Sequence, residues 1–174
     1  LFHLTKLPIA SLLCALFLSY NSLNAQEKLE EKQENEQGNF TAVLEQHLQS
    51  ITEKNIEYYL TDLSEENISM ILPNGNLKAK FQEIKQLQKD WFDESGWKFE
   101  YKILRTSEGE KIAYALLDVD YYMLDEQNTR DYRPYFLMLV FEKENDDWKL
   151  SHGQSTPNIS KKIAAESNPA AKTH

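Results

Sequence analysis

The chain has 174 residues, 28 acidic against 19 basic, and a formal net charge of −9. That balance excludes the clustered Lys and Arg that a nucleic-acid backbone demands, and it reads as a device for solubility. One cysteine, Cys14, leaves no intrachain disulfide framework and no cysteine-built metal site.

Residues 1–25, LFHLTKLPIASLLCALFLSYNSLNA, hold one lysine, Lys6, and no acid. An apolar run from Ile9 to Leu18 is followed by the small-residue end Leu23-Asn24-Ala25. This pattern predicts an export signal cut near Ala25, and hence a secreted or periplasmic protein. Ser19, Asn21, Ser22 and Asn24 interrupt the run short of the roughly 20 apolar residues a membrane span needs. A retained anchor is the alternative; after cleavage no membrane attachment is expected. Cys14 sits inside the run, not after it, which argues against a lipid anchor. Residues 26–39, QEKLEEKQENEQGN, offer only Leu29 for burial and read as a flexible acidic spacer. Cleavage after Ala25 leaves roughly 150 residues, enough for one domain with a sizeable core.

From Phe40 the apolar residues recur every three or four positions: Phe40, Leu44, His47, Leu48, Ile51, then Ile56, Tyr59 and Leu63. This spacing predicts a helix or helix pair, with a break near Ser50 to Thr52 and a cap from Thr52, Glu53 or Asn55. His47, on the apolar side, reads as a partly buried helix histidine with a local hydrogen bond. Asp62 reads either as a solvated helix-end acid or as lining the open end of a cavity beneath the helices. A short strand, Ile68 to Leu72, ends at the turn Pro73-Asn74-Gly75. A second helix is expected from Leu77 to Phe92, its apolar face carrying Leu77, Phe81, Ile84, Leu87, Gln88, Trp91 and Phe92.

Four aromatic-rich strand candidates follow: Trp97 to Thr106, Lys111 to Leu124, Tyr132 to Lys143, and Asp147 to Ser155. Short turns join them, so an antiparallel meander is expected. In the second strand Ile112, Tyr114, Leu116, Asp118, Asp120 and Tyr122 share a face. In the last, strict alternation puts Trp148, Leu150, His152 and Gln154 together. The two middle strands are apolar on both sides, so the sheet needs two covers. Helices supply one, and a homodimer through the outer sheet face is the simplest second. Residues 158–174 read as a flexible tail in which Ile159 and Ile163 make at most one short docked turn.

Leu72-Pro73-Asn74-Gly75, Asp90-Trp91-Phe92 and the closing run from Trp148 to Pro157 resemble the SnoaL-like branch of the nuclear transport factor 2-like superfamily. The resemblance covers residues 40–157. It implies an α+β, cone-shaped (cystatin-like) fold, with helices packed in a strongly curved antiparallel sheet and a pocket at the wide end. Members range from isomerases, cyclases and dehydratases to domains that only bind or assemble. Comparable closing strands often read His-Asp-Gln, where this chain has Gly153 between His152 and Gln154.

The expected function is an exported small-molecule-binding domain with an aromatic-lined pocket and no catalysis. The alternatives are an isomerase, dehydratase or cyclase using a pocket acid or base, and a pure dimerisation module. Expected ligand contacts are Trp91, Tyr59, Tyr114, Tyr122, Tyr135, His152 and Gln154, toward a small apolar or aromatic ligand. His152, Asp118 and Asp120 are the candidate catalytic groups, with Asp62 as a further acid and Tyr58 as a further phenol. No cofactor is expected. No metal is expected either, since neither an HExxH motif nor an Asp-rich calcium loop is present.

Overall fold

A computed structural model describes residues 39–124 and 130–167; the expected export signal and most of the acidic spacer lie outside them. The first helix, α1 (Phe40–Thr52), buries Phe40, Leu44, His47, Leu48 and Ile51 along one stripe. It stops where Lys54 turns left-handed (φ 56°). Asn55 then caps α2 (Ile56–Thr61), its side chain accepting from the Tyr58 backbone N–H at 3.1 Å. An Asn at this position satisfies a helix-start N–H that would otherwise be orphaned.

The chain leaves α2 along the sheet. The Leu150 N–H donates to the Asp62 carbonyl at 2.7 Å, and the Ser64 N–H donates to the Leu150 carbonyl at 3.0 Å. These bonds fix the backbone of Asp62. Strand β1 (Ser69–Ile71) then turns through Gly75 (φ 83°) into a two-residue strand, β2 (Leu77–Lys78). The second long helix, α3 (Phe81–Asp93), therefore starts four residues later than its apolar pattern suggests. Leu77, expected in its core face, is 62% exposed. The turn returns Leu77 to pair with Ile71, and that pairing takes the residues the helix would have used.

Gly96 (φ 82°) ends the helical segment and opens the long strands β3 (Trp97–Glu108) and β4 (Ile112–Leu124). After β5 (Arg130–Tyr132) come β6 (Tyr135–Glu144) and β7 (Asp147–Pro157). Asn145 and Asp146, both at positive φ, form the two-residue turn between β6 and β7, a conformation that Asn and Asp tolerate better than most residues. The strand order is β2-β1-β7-β6-β4-β3, with β5 beside β4.

Two features correct the expected cone. The sheet is mixed, because β1 runs parallel to β7. It is also open, ending at β2 and β3, not a strongly curved antiparallel wrap. The parallel pair follows from chain order. β1 precedes α3 and the meander, and together they form the long crossover that parallel neighbours require.

The first three helices pack on one sheet face. Phe40 meets the edges of Phe141 (5.5 Å between centroids) and Trp148 (5.8 Å). Burial of each such ring contributes about 2–3 kcal/mol. A last helix, α4 (Ile159–Ser167), is longer than one turn. Asn158 caps it by accepting from the Lys161 N–H at 3.1 Å. Ile159 and Ile163 remain exposed, and docking runs instead through the Lys161 ammonium, 2.8 Å from Asp118 and 2.9 Å from Asp120. No helix among the described residues is long and apolar enough to cross a membrane.

Candidate functional site

Between the helices and the inner sheet face lies a cavity of about 610 Å³. α1 contributes His47 and Ile51, α2 contributes Tyr59, and α3 contributes Leu87, Gln88 and Trp91. The sheet supplies Phe99, Tyr121, Leu137, Leu139 and Gly153. Charged groups, Asp90, Glu94, Arg133 and Lys162, also border it. The lining is otherwise chiefly aromatic and aliphatic, as small-molecule sites are.

The most deeply buried polar side chain in the lining is His47. Its position in the apolar stripe of α1 buries the ring completely. The ring leans on Tyr59 at 4.8 Å between centroids and meets Phe141 edge-on at 5.7 Å. Its Nδ1 lies 3.2 Å from Oδ2 of Asp62, which is itself only 8% exposed. The carboxylate is an acceptor, so this bond places a proton on Nδ1, and in the neutral ring Nε2 then carries the lone pair. Nε2 is buried and has no partner among the described residues. Asp62 is not part of the cavity wall; it stands behind the histidine.

Three phenols line the cavity, and one of them, Tyr59, packs on the His47 ring. Burial is the main reason the Tyr59 hydroxyl is pushed well above its ordinary value, and the Asp62 charge adds to it. Tyr135 is raised by burial and then by Tyr121 and Tyr59. Tyr121 is raised chiefly by burial, although the bond from Trp91 Nε1 to its hydroxyl (3.1 Å) works the other way. At neutral pH all three stay protonated and can donate to a ligand oxygen. The Trp91 ring stacks on Trp97 at 4.7 Å, which fixes its place in the wall.

Of the residues expected from sequence, Tyr59, Trp91 and Tyr135 line the cavity. Tyr114, Tyr122, His152 and Gln154 do not, and neither do Asp118 and Asp120. The β6–β7 pairing explains the last strand. Phe141 faces Leu150 and Val140 faces His152, so Ser151 is an extra, bulged residue. A bulge resets the alternation of the strand. Trp148 and Leu150 stay inside, Gly153 turns to the cavity, and His152 and Gln154 turn away. His152 Nδ1 instead lies 2.8 Å from Ser69 Oγ of β1. Asp118 and Asp120 bind Lys161, and the Tyr132 hydroxyl donates to Asp120. Tyr58, the further phenol, is half-buried and outside the cavity lining.

His47, Gln88 and Tyr121 were missed as site residues. His47 and Gln88 carried a usable signal, since each is a polar residue at a position where helix periodicity calls for a hydrophobe.

Solved structures share this architecture. A ketosteroid isomerase-like protein from Erwinia carotovora atroseptica superposes with a TM-score of 0.58 at 10% identity, over 68% of this chain and 92% of that one. A candidate dehydratase of the NTF2-like family from Streptomyces avermitilis gives 0.59 at 11% identity, over 74% and 98%. An NTF2-like protein of unknown function from Shewanella oneidensis gives 0.55 at 16%, over 67% and 94%. At such identities the likeness shows the fold alone. A comparison with curated proteins finds no match. Residues 41–159 match the SnoaL-like domain, and with the shared architecture this places the chain in the SnoaL-like family of the NTF2-like superfamily.

Proposed function

We propose that this protein is a small-molecule enzyme of the isomerase or dehydratase type, with His47 as its acid–base group and Asp62 as the residue that positions it. The observation that carries the proposal is the His47–Asp62 pair, one ring nitrogen held at 3.2 Å and the other buried and unpartnered at an apolar cavity. In the proposed reaction Nε2 takes a proton from an activated carbon of the ligand. Asp62 stabilises the imidazolium that forms, and a cavity tyrosine donates to the oxygen where negative charge develops. Nε2 then returns the proton to another carbon, which completes an isomerisation, or to a departing hydroxyl, which completes a dehydration. The names of two structural relatives, a ketosteroid isomerase-like protein and a candidate dehydratase, accord with this chemistry.

The test is turnover of a small carbon acid such as 2-tetralone, followed as exchange of its α-protons for deuterium. His47→Gln keeps a polar group of similar shape and is expected to lose about 10²–10⁴ in rate. Equal exchange by wild type and H47Q would end the enzymatic reading.

A binding domain without chemistry is the second reading, favoured by Gly153. It occupies the cavity-facing position of β7 and brings no carboxylate there. A cavity of about 610 Å³ is not the filled interior expected of a domain that only assembles. Self-association is still part of the proposal. Tyr114, Leu116, Phe136, Met138 and Val140 share the outer sheet face, and a second copy of this chain is the proposed cover. Leu116→Lys should then turn a dimer into a monomer in sedimentation, and an unchanged mass would refute the interface. Export with cleavage near Ala25 rests on the sequence; a secreted form whose N-terminus is not close to Gln26 would overturn it.

A further inference from the structure

Gln88 sits on the buried stripe of α3, four residues after Ile84 and four before Phe92. A leucine would fill that place, yet the chain puts an amide there and leaves it 7% exposed. The amide is anchored on one side only. Its Nε2 donates to the Met70 sulfur at 3.3 Å, and its Oε1 is buried with no partner among the described residues. Sulfur is a weak acceptor and offers nothing to a carbonyl oxygen, so the orientation with N–H toward Met70 is the favourable one. Met70 lies beside Gly153, its strand neighbour. A Cβ on Gly153 would stand 3.6 Å from Met70 Cγ, in direct contact. Gly153 does not adopt a left-handed backbone, so conformation does not require it. Its effect is space in the wall.

Gln88, Met70, Gly153 and His47 all line the same cavity. Two of the lining residues thus carry a buried acceptor with no donor among the described residues, the Gln88 carbonyl oxygen and, in the neutral ring, His47 Nε2. A buried acceptor left unpaired is unfavourable, and here the partner can come from a ligand. On the reading of this cavity as a small-molecule site, we infer that Gln88 is a second, binding anchor. Its ligand is a compact, largely apolar molecule that presents a hydroxyl or N–H donor to Oε1, apart from the proton handled at His47. Gln88 selects the ligand; it does not move the proton.

Three probes of one shape make the test: 2-naphthol, which carries a donor, 2-methoxynaphthalene, which carries only an acceptor, and naphthalene. Calorimetry on the full chain is expected to show 2-naphthol bound at least tenfold more tightly than the methyl ether. Gln88→Met removes the acceptor at similar volume and should bring that ratio within about threefold, with naphthalene affinity unchanged. Gln88→Leu repeats the measurement should the Met variant fold poorly. His47→Gln should keep a preference for the naphthol. A preference that survives both Gln88 variants but vanishes in H47Q would assign the donor to the imidazole and overturn the inference. Equal binding of all three probes by wild type would overturn it while leaving the cavity as a ligand site. Binding of none would remove the small-molecule reading and this inference with it.

Discussion

Asp62→Asn tests the centre of the site with the smallest change of shape. Asparagine can still accept from His47 Nδ1–H, so the ring keeps its orientation and loses only the charge beside it. At the observed 3.2 Å a full charge pair is coupled by about 5 kcal/mol at an effective dielectric constant of about 20. Delocalisation of the imidazolium and the retained hydrogen bond reduce what is lost to about 3–4 kcal/mol in the transition state. That corresponds to a fall of roughly 10²–10³ in kcat. In the resting protein only one buried hydrogen bond is weakened, which costs about 1 kcal/mol and lowers Tm by roughly 3–5 °C. KM should move by less than about threefold, because Asp62 does not touch the ligand. The assay is deuterium exchange into 2-tetralone by proton magnetic resonance, beside a thermal melt of each variant. A kcat within about threefold of wild type, together with the expected change in Tm, would refute the reasoning. Asp62 would then support the helix end and nothing more.

His152→Gln should leave 2-naphthol affinity within about twofold and cost about 0.5–1.5 kcal/mol of stability, since the ring pairs with Ser69 away from the cavity; a loss of affinity measured by calorimetry would contradict the bulge at Ser151. Gly153→Ala should be tolerated, at about 0.4–1 kcal/mol more stable, because its Cβ meets only ordinary contacts. Gly153→Leu should fill the wall and weaken naphthalene binding at least tenfold, and unchanged affinity would show that the ligand lies elsewhere. Tyr59, Tyr121 and Tyr135 hold their protons more tightly when folded than at the ordinary value of 10.0, chiefly because of burial. Their contribution to stability is therefore complete below about pH 10 and declines as pH rises through the higher folded values. Denaturant melts over that range, read beside an ultraviolet titration of tyrosinate, should show the decline; a midpoint flat to about pH 12 would contradict the burial of these phenols.

The elements were legible where a single periodicity governs a long segment. The stripe from Phe40 to Ile51, the turn at Gly75 and the long meander each follow from local spacing. Misreadings arose where a non-local pairing overrode local preference. Leu77 belongs to a good helical pattern, yet its ladder with Ile71 holds it in a strand and delays α3 to Phe81. The parallel contact of β1 with β7 joins residues more than eighty positions apart, such as Ser69 and His152. No local pattern encodes that partner.

The site was harder to read because strand faces depend on parity and parity depends on every intervening residue. Strict alternation through β7 carried His152 and Gln154 inward with Trp148 and Leu150, and the one extra residue at Ser151 reversed them. In β4 the face could have been read. Asp118 and Asp120 share it with Tyr114 and Tyr122, whereas Ala113, Ala115, Leu117 and Val119 form an unbroken apolar series opposite. Two carboxylates are far more easily solvated than buried, so that face had to be the outer one, and the cavity had to belong to Tyr121. The same argument inverts for His47. An imidazole wholly buried on a helix needs a partner, and none of its helix neighbours provides one to the ring. Its partner, Asp62, is brought to it by the end of α2, whose carbonyl is in turn bound to the Leu150 N–H of β7. The His47–Asp62 pair is therefore a product of tertiary structure. Each half looked ordinary in sequence, and only the packing of α2 against α1 brings them together.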